Sequence, residues 1–308
     1  MSLTVVICSR NRREPLLETL RSLASQRASL AWSVLVVDNG SSDGTAAAVQ
    51  HLAQDFPVAL LVEVEPRRGL SHARNHALRS AAGEHVIFID DDVTCLPGWL
   101  ASHGRALARN GVAAAGGRIR PILPADTPPW LVRILMNENG GPCARYDLGE
   151  RPLEIGGDDK TQLPCGANMA VHRATAIAMG GFKTDLGWGE RMIPGEESEF
   201  FRRLLAHGHR IAYVPDAQVD HRIATGRLTR AYYTRWHRAH GRATIVARPP
   251  RGLAERLARI AEELPKAVVW AFRARRRKKA QESDPMPYGE ALRKGAKAQG
   301  RLLELFGL

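Results

Sequence analysis

The sequence predicts an α/β fold, a mostly parallel sheet flanked by helices with a helical, basic C-terminal extension. Two patterns point there: short, continuously apolar runs alternate with amphipathic stretches through the first 117 residues, and a charge surplus gathers at the far end, with 15 Lys+Arg against 7 Asp+Glu in 248–308. Parallel strands covered on both faces read as unbroken apolar runs, unlike the alternation of half-exposed strands.

In chain order, strands are expected at 3–8, 34–37, 59–62, 86–89 and 112–115. Helices at 14–25, 45–54, 70–81 and 98–110 carry apolar residues at three-to-four spacing. From 118 to 163 the pattern dissolves into Pro- and Gly-rich sequence, including Pro121, Pro124, Pro128, Pro129, Gly140, Gly141 and Gly156. An irregular stretch of that length in a compact domain points to function. A strand at 167–171, a short helix at 174–179, a helix at 196–207 entered from Gly195, and a strand at 210–214 follow, and the chain is helical from 253 onward. These elements suggest a catalytic domain over 1–245, with halves dividing near 117, and an extension over 246–308.

Composition sets limits. With 44% hydrophobic and 25% charged residues, the chain can build a core and is neither disordered nor collagen-like. No apolar run approaches the roughly 18 residues of a membrane span. The first ten residues lack a secretory pattern, so a cytoplasmic location is expected. Cys8, Cys95, Cys143 and Cys165 show neither C-x-x-C nor zinc-finger spacing, which argues against disulfides and structural zinc.

Three early strands end in polar or acidic residues: Ser9-Arg10-Asn11-Arg12, Asp38-Asn39 and Asp90-Asp91-Asp92. In a parallel sheet these ends share one edge, where ligands of open α/β sheets bind. No G-x-G-x-x-G follows the first strand, and no P-loop occurs; the first lysine of the chain is Lys160. Three carboxylates repel a polyphosphate unless a divalent cation lies between. An Asp-x-Asp pair of hard oxygen donors suits Mg²⁺ or Mn²⁺, and so points to a metal-bridged diphosphate.

The ordered set V-I-C-S-R-N-R (6–12), V-V-D-N-G-S-S-D-G-T (36–45), G-L-S-H-A-R-N (69–75), F-I-D-D-D (88–92), G-A-N-M-A (166–170), G-G-F (180–182), G-E-E-S-E-F (195–200) and Y-V-P-D-A-Q-V-D-H (213–221) closely resembles the inverting glycosyltransferases of family 2, which have a GT-A fold. The resemblance covers about 3–241. It implies that Asp38 contacts the nucleotide base, that Ser9 and Asn11 line the base and ribose pocket, and that Arg10, Arg74 and Asp91 lie on the donor side. Asp92 would ligate the metal, Asp90 would lie nearer the ribose or a metal-bound water, and His221 would add a late metal contact that favours Mn²⁺. A structural histidine at a strand end is the competing reading of His221. A nucleoside diphosphate sugar, a UDP-sugar in first place, is the implied donor.

Inversion needs a base at the acceptor hydroxyl. The family usually places there the Asp of a Glu-Asp pair at a helix start; this chain has Glu196-Glu197, which leaves the register open between the two. Glu197 is the expected base, with Glu196 and Glu199 shaping the site. Asn168 and Trp188 are acceptor-side candidates, core burial being the alternative for Trp188. The acceptor would be a glycan or lipid-linked molecule. The basic segment 266–280, with Trp270 and Phe272 ahead of six basic residues in 273–279, suits an anionic membrane face or a helix packed on the domain; nucleic acid is disfavoured by the absence of a recognised module. Two other functions remain open. A nucleotidyltransferase would want a Gly-rich basic loop after the first strand, where S-R-N-R stands, and a silent binding protein would tolerate the Glu-for-Asp change.

Overall fold

The computed structural model describes residues 1–156, 163–189 and 192–308. The chain divides into two compact units. The first is Met1–Ile122, Ala144–Thr184 and Glu196–Arg222; the second is Leu123–Cys143, Asp185–Gly195 and Ile223–Leu308.

The first unit opens with β1 (Ser2–Ser9), α1 (Arg13–Ala24), β2 (Ala31–Asp38), α2 (Thr45–Leu52), β3 (Leu60–Val64), α3 (Leu70–Ser80), β4 (His85–Ile89), β5 (Val93–Cys95), α4 (Trp99–Leu107) and β6 (Val112–Ile122). After α5 (Pro129–Met136) in the second unit, it continues with β7 (Leu153–Ile155), β8 (Asn168–His172), α6 (Arg173–Ala178), α7 (Glu196–Ala206) and β9 (Arg210–Arg222). The sheet runs β3-β2-β1-β4-β8-β6-β9-β5, with β7 paired to β9. The first four strands are mutually parallel; β8 then enters antiparallel between β4 and β6. Val5, Val6, Ile7, Val34, Val36 and Ile87 are fully enclosed, which explains their unbroken apolar runs. On α1 the buried residues are Leu16, Thr19, Leu20 and Leu23, the spacing of one helical face.

Two stretches differ from the sequence expectation. The irregular stretch 118–163 holds the end of β6, the whole of α5 and β7, while 157–162 lies outside the described residues. Pro128-Pro129 reads as a loop, yet Pro129 occupies the first turn of α5, where its missing N–H costs nothing. The strand expected at 210–214 runs on to Arg222. Its pairing with β6 shifts register between Gly117 and Ile119, an irregularity that accommodates Pro215 within the strand.

The second unit is helical: α5, α8 (Arg230–Ala247), α9 (Leu253–Arg277) and α10 (Pro285–Phe306). Trp130, Ile134, Leu135, Tyr233, Tyr288 and Leu292 form its main core. Helix α8, on the catalytic side of the 245/246 division in the sequence, groups with the C-terminal helices. No helix among the described residues is long and apolar enough to cross a membrane.

Candidate active site

Register brings the strand ends together. Ser9 stands beside Asp38, Asp38 beside Val64, and Ile7 beside Ile89, so the segments after all four parallel strands open on one edge. Asn11 takes a left-handed conformation (φ 52°), which Asn tolerates better than most residues. Its Oδ1 accepts from the Ser42 N–H at 2.7 Å, and its own N–H donates to Ser41 Oγ at 2.9 Å. Asn11 thus ties the loop after β1 to the loop after β2. Asp38 is buried, and its Oδ1 accepts from the Ser41 N–H at 2.8 Å. Arg10 is exposed and reaches the Gly40 carbonyl only at 3.5 Å.

After β3 comes Glu65, buried and gripped by Arg67 through two hydrogen bonds of 2.8 and 2.7 Å. Those bonds outweigh burial and hold its carboxyl at about 2. The Asn39 amide group donates to the carbonyls of Glu65 and Arg67, while its oxygen accepts from the Gly69 N–H. This fixes the entrance to α3. The sequence reading missed Glu65 and Arg67, which carry no periodicity or motif.

The three aspartates divide their work. Asp91 turns inward, accepting from Ser9 Oγ and Arg12 Nε, both at 2.7 Å; burial raises its carboxyl to about 6 against the pull of Arg12. Both its oxygens are thereby engaged, and Asp91 braces Ser9 and Arg12. Asp92 accepts from Arg12 Nη2 at 2.6 Å, and its Oδ1 lies 3.1 Å from His221 Nε2. Antiparallel pairing explains this meeting across the chain, because Val93 of β5 stands opposite His221 of β9. Ligand atoms of Asp90, Asp92 and His221 lie within 4.8 Å of one another. Two carboxylates and an imidazole are a donor set that fits Mn²⁺. Arg12, read in the sequence only as part of a polar turn, pairs with two of the three, Asp91 and Asp92. A second close grouping, Glu84, His85 and His172, sits at the start of β4, where Glu84 is exposed and His172 caps α6 by accepting from the Thr175 N–H.

Helix α7 begins with the two glutamates. Glu196 is enclosed and accepts from Arg74 Nη1 at 2.6 Å. The Arg74 guanidinium packs over the Phe182 ring at 5.4 Å and the Phe88 ring at 6.0 Å. A Cβ on Gly166 would collide with it, which accounts for glycine there. Expected on the donor side, Arg74 is instead sealed in as the counter-ion of Glu196, and its charge acts on Glu197 and Asp90 as well. Removing one partner of such a buried pair leaves an uncompensated charge. Arg74→Met should therefore lower unfolding free energy by about 3–5 kcal/mol in urea titration, and Arg74→Met/Glu196→Leu should recover most of it; a single variant as stable as the wild type would contradict the assignment.

Glu197 differs from its neighbour. Its Oε2 is enclosed and has no hydrogen-bond partner among the described residues. Burial first, then the adjacent Glu196, raises its carboxyl to about 8, with Arg74 opposing. A carboxylate tuned to neutral pH at a sheet edge has the properties of an acid–base catalyst. Cys165 feels both Glu197 and Asp90 electrostatically, so the two carboxylates share one neighbourhood. Glu199 is half-buried; burial works against its ionised form, but Arg203 at 2.8 Å and Lys183 at 3.2 Å hold its carboxyl below the usual range.

The family model described as glycosyl transferase family 2 matches residues 4–175, more than half of the chain. This chain belongs to glycosyltransferase family 2. Among similar proteins, the succinoglycan biosynthesis protein ExoM of Rhizobium meliloti is 30% identical over 251 residues, 79% of this chain and 74% of ExoM. The glucosyl-dolichyl phosphate glucuronosyltransferase of Haloferax volcanii is 27% identical over 228 residues, 72% of this chain and 70% of its own. Of solved structures, the mannosyltransferase PcManGT from Pyrobaculum calidifontis, in complex with GDP-Man and Mn²⁺, superposes with a TM-score of 0.60 at 22% identity, covering 96% of this chain and 86% of that one. The fold is the GT-A type.

Two acceptor-side expectations fare differently in this family-2 chain. Asn168 is wholly enclosed: its oxygen accepts from Trp99 Nε1 at 2.9 Å and lies 2.9 Å from His103 Nε2, and its nitrogen donates to the carbonyls of Arg118 and Ala217. It secures the irregular pairing of β6 and β9 and presents nothing to an acceptor. A Cβ on Gly117 would strike that same amide group and the Ala217 carbonyl. Trp188 belongs to the second unit, next to Gly187, which forms a β-bridge with Ile193. It is 38% exposed, so it is not the core residue of the alternative reading.

Proposed function

We propose that this family-2 enzyme moves a sugar, with inversion, from a nucleoside diphosphate donor to a hydroxyl of a glycan or lipid-linked acceptor. The observation that carries this reading is the meeting of Asp90, Asp92 and His221 within 4.8 Å at the carboxyl edge of a parallel sheet. Asp90, Asp92 and His221 are assigned to hold Mn²⁺ or Mg²⁺, which when bound supplies positive charge to the departing diphosphate. Asp38 and the loop carrying Asn11 are assigned to the base and ribose, so that the nucleoside is held within about the first 117 residues. Arg12 offsets part of the triplet's charge until the donor and its cation arrive.

Glu197 is assigned as the base. Its unpartnered Oε2 accepts the proton of the acceptor hydroxyl as that oxygen attacks the anomeric carbon, while Arg74 holds Glu196 in an ion pair beside it and out of the reaction. The Glu-Glu pair thus performs the work of the family's Glu-Asp. The sugars named in the relatives above support a polysaccharide or lipid-linked pathway, with a UDP-sugar as the first donor to try and a GDP-sugar as the second.

Incubating the protein with a panel of nucleotide sugars, in Mn²⁺ or in chelator, tests the reading through nucleoside diphosphate release. Metal-dependent release from one donor is expected. Pyrophosphate release from a nucleoside triphosphate and sugar phosphate would identify a nucleotidyltransferase instead.

A further inference from the structure

Helix α9 exposes more apolar surface than its place in the fold explains. Its packed side is marked by the buried residues Glu263, Ala267 and Ala274. Leu253, Leu257, Leu264, Val268 and Phe272 follow one another at near-helical spacing, with Val269 beside them, and are 44–72% exposed. At 3.6 residues per turn the positions between them on that face are Ala254, Ala258, Ala261, Pro265 and Ala271. No charged residue therefore interrupts the face from Leu253 to Phe272, a length of about 28 Å at 1.5 Å per residue. Glu262, at its margin, is paired with Lys266. Uninterrupted exposed apolar stripes of this size mark interaction surfaces.

The same face then changes character. Arg275 and Arg276 continue it three and four residues beyond Phe272, and Lys279 follows at seven, in the 3₁₀ turn after α9, all exposed, with the Arg276 guanidinium 5.8 Å over the Phe272 ring. A shallow hollow lined by Val268, Val269, Phe272, Arg273 and Arg276 lies at the junction. An apolar stripe ending in a cationic cluster matches the boundary between acyl chains and anionic headgroups. A second copy of this chain fits less well, because the stripe offers no acidic group to meet Arg275, Arg276 and Lys279.

We propose that α9 seats the protein on an anionic lipid surface, with Leu264, Val268 and Phe272 entering the headgroup layer and Arg275, Arg276 and Lys279 pairing with lipid phosphates. This surface stands apart from the transferase reading, and its test reads lipid binding alone.

Flotation of the full chain with vesicles of phosphatidylcholine, and of phosphatidylcholine mixed equally with phosphatidylglycerol, checks it. The wild type should float with the mixed vesicles and lose affinity as salt rises. Leu264→Asp/Val268→Asp/Phe272→Asp, at exposed positions and compared with the wild type by circular dichroism as a folding control, should bind at least about tenfold more weakly. Arg275→Glu/Arg276→Glu/Lys279→Glu should do the same through the charge contribution alone. The proposal is overturned if the wild type ignores mixed vesicles, if both variants bind as the wild type does, or if centrifugation finds a lipid-indifferent dimer that the Asp variant separates.

Discussion

Glu197→Gln is expected to lower turnover by about 100- to 10,000-fold, the usual contribution of a positioned base, with donor affinity unchanged. The amide keeps the size and burial of the side chain but accepts no proton. The pH dependence follows from the raised carboxyl. Below about 8 the acid form dominates, so kcat/KM of the wild type should rise about tenfold per pH unit and level off above that value. Stability moves the opposite way. A carboxyl raised in the fold favours the protonated native state, so the wild type loses stability as pH climbs from the ordinary carboxylate range to about 8. Glu197→Gln should match the wild-type Tm at acid pH and exceed it above pH 8. A flat kcat/KM profile through this window, or an active Gln variant, would place the base elsewhere.

Asp92→Ala carries the second large effect. Loss of even an outer-shell partner costs metal sites about 10- to 100-fold, so removing a direct ligand should weaken Mn²⁺-dependent donor binding by more than about 100-fold, and His221→Ala should behave in kind. If His221 were only a strand-end residue, His221→Ala would lower Tm and leave the Mn²⁺ requirement unaltered. Titration of activity against Mn²⁺ separates the two outcomes.

The parallel half of the fold was legible because burial on both faces writes itself as continuous runs: β1, β3 and β4 lie within a residue or two of their expected places, and β2 starts three residues early. The acidic triplet was legible too, since consecutive carboxylates at a strand end demand a counter-charge. What supplies that charge was not. Arg12 is one of several arginines in a polar turn, and only its approach to Asp91 and Asp92 distinguishes it. The pairing of β5 with β9, which brings His221 to Asp92, rests on a three-residue strand too short to show a pattern. Pro215 and Asp216 likewise disguised the length of β9.

At α7 the sequence preferred Glu197 over Glu196 with no local signal that sets the two apart. That distinction depends on Arg74, 122 residues away, and on the register of α3 against α7. Asn168 shows the opposite failure. A polar residue in a motif suggested a ligand contact, whereas its amide group satisfies buried donors and carbonyls, a role that no local pattern announces.

The central claim is that Asp90, Asp92 and His221 grip a cation that a nucleoside diphosphate needs. Calorimetric titration with UDP and GDP, in Mn²⁺ and in chelator, tests it most directly. Binding that requires Mn²⁺ and vanishes in Asp92→Ala is the predicted result; equal affinity for the nucleotide in chelator, or in Asp92→Ala, would contradict it.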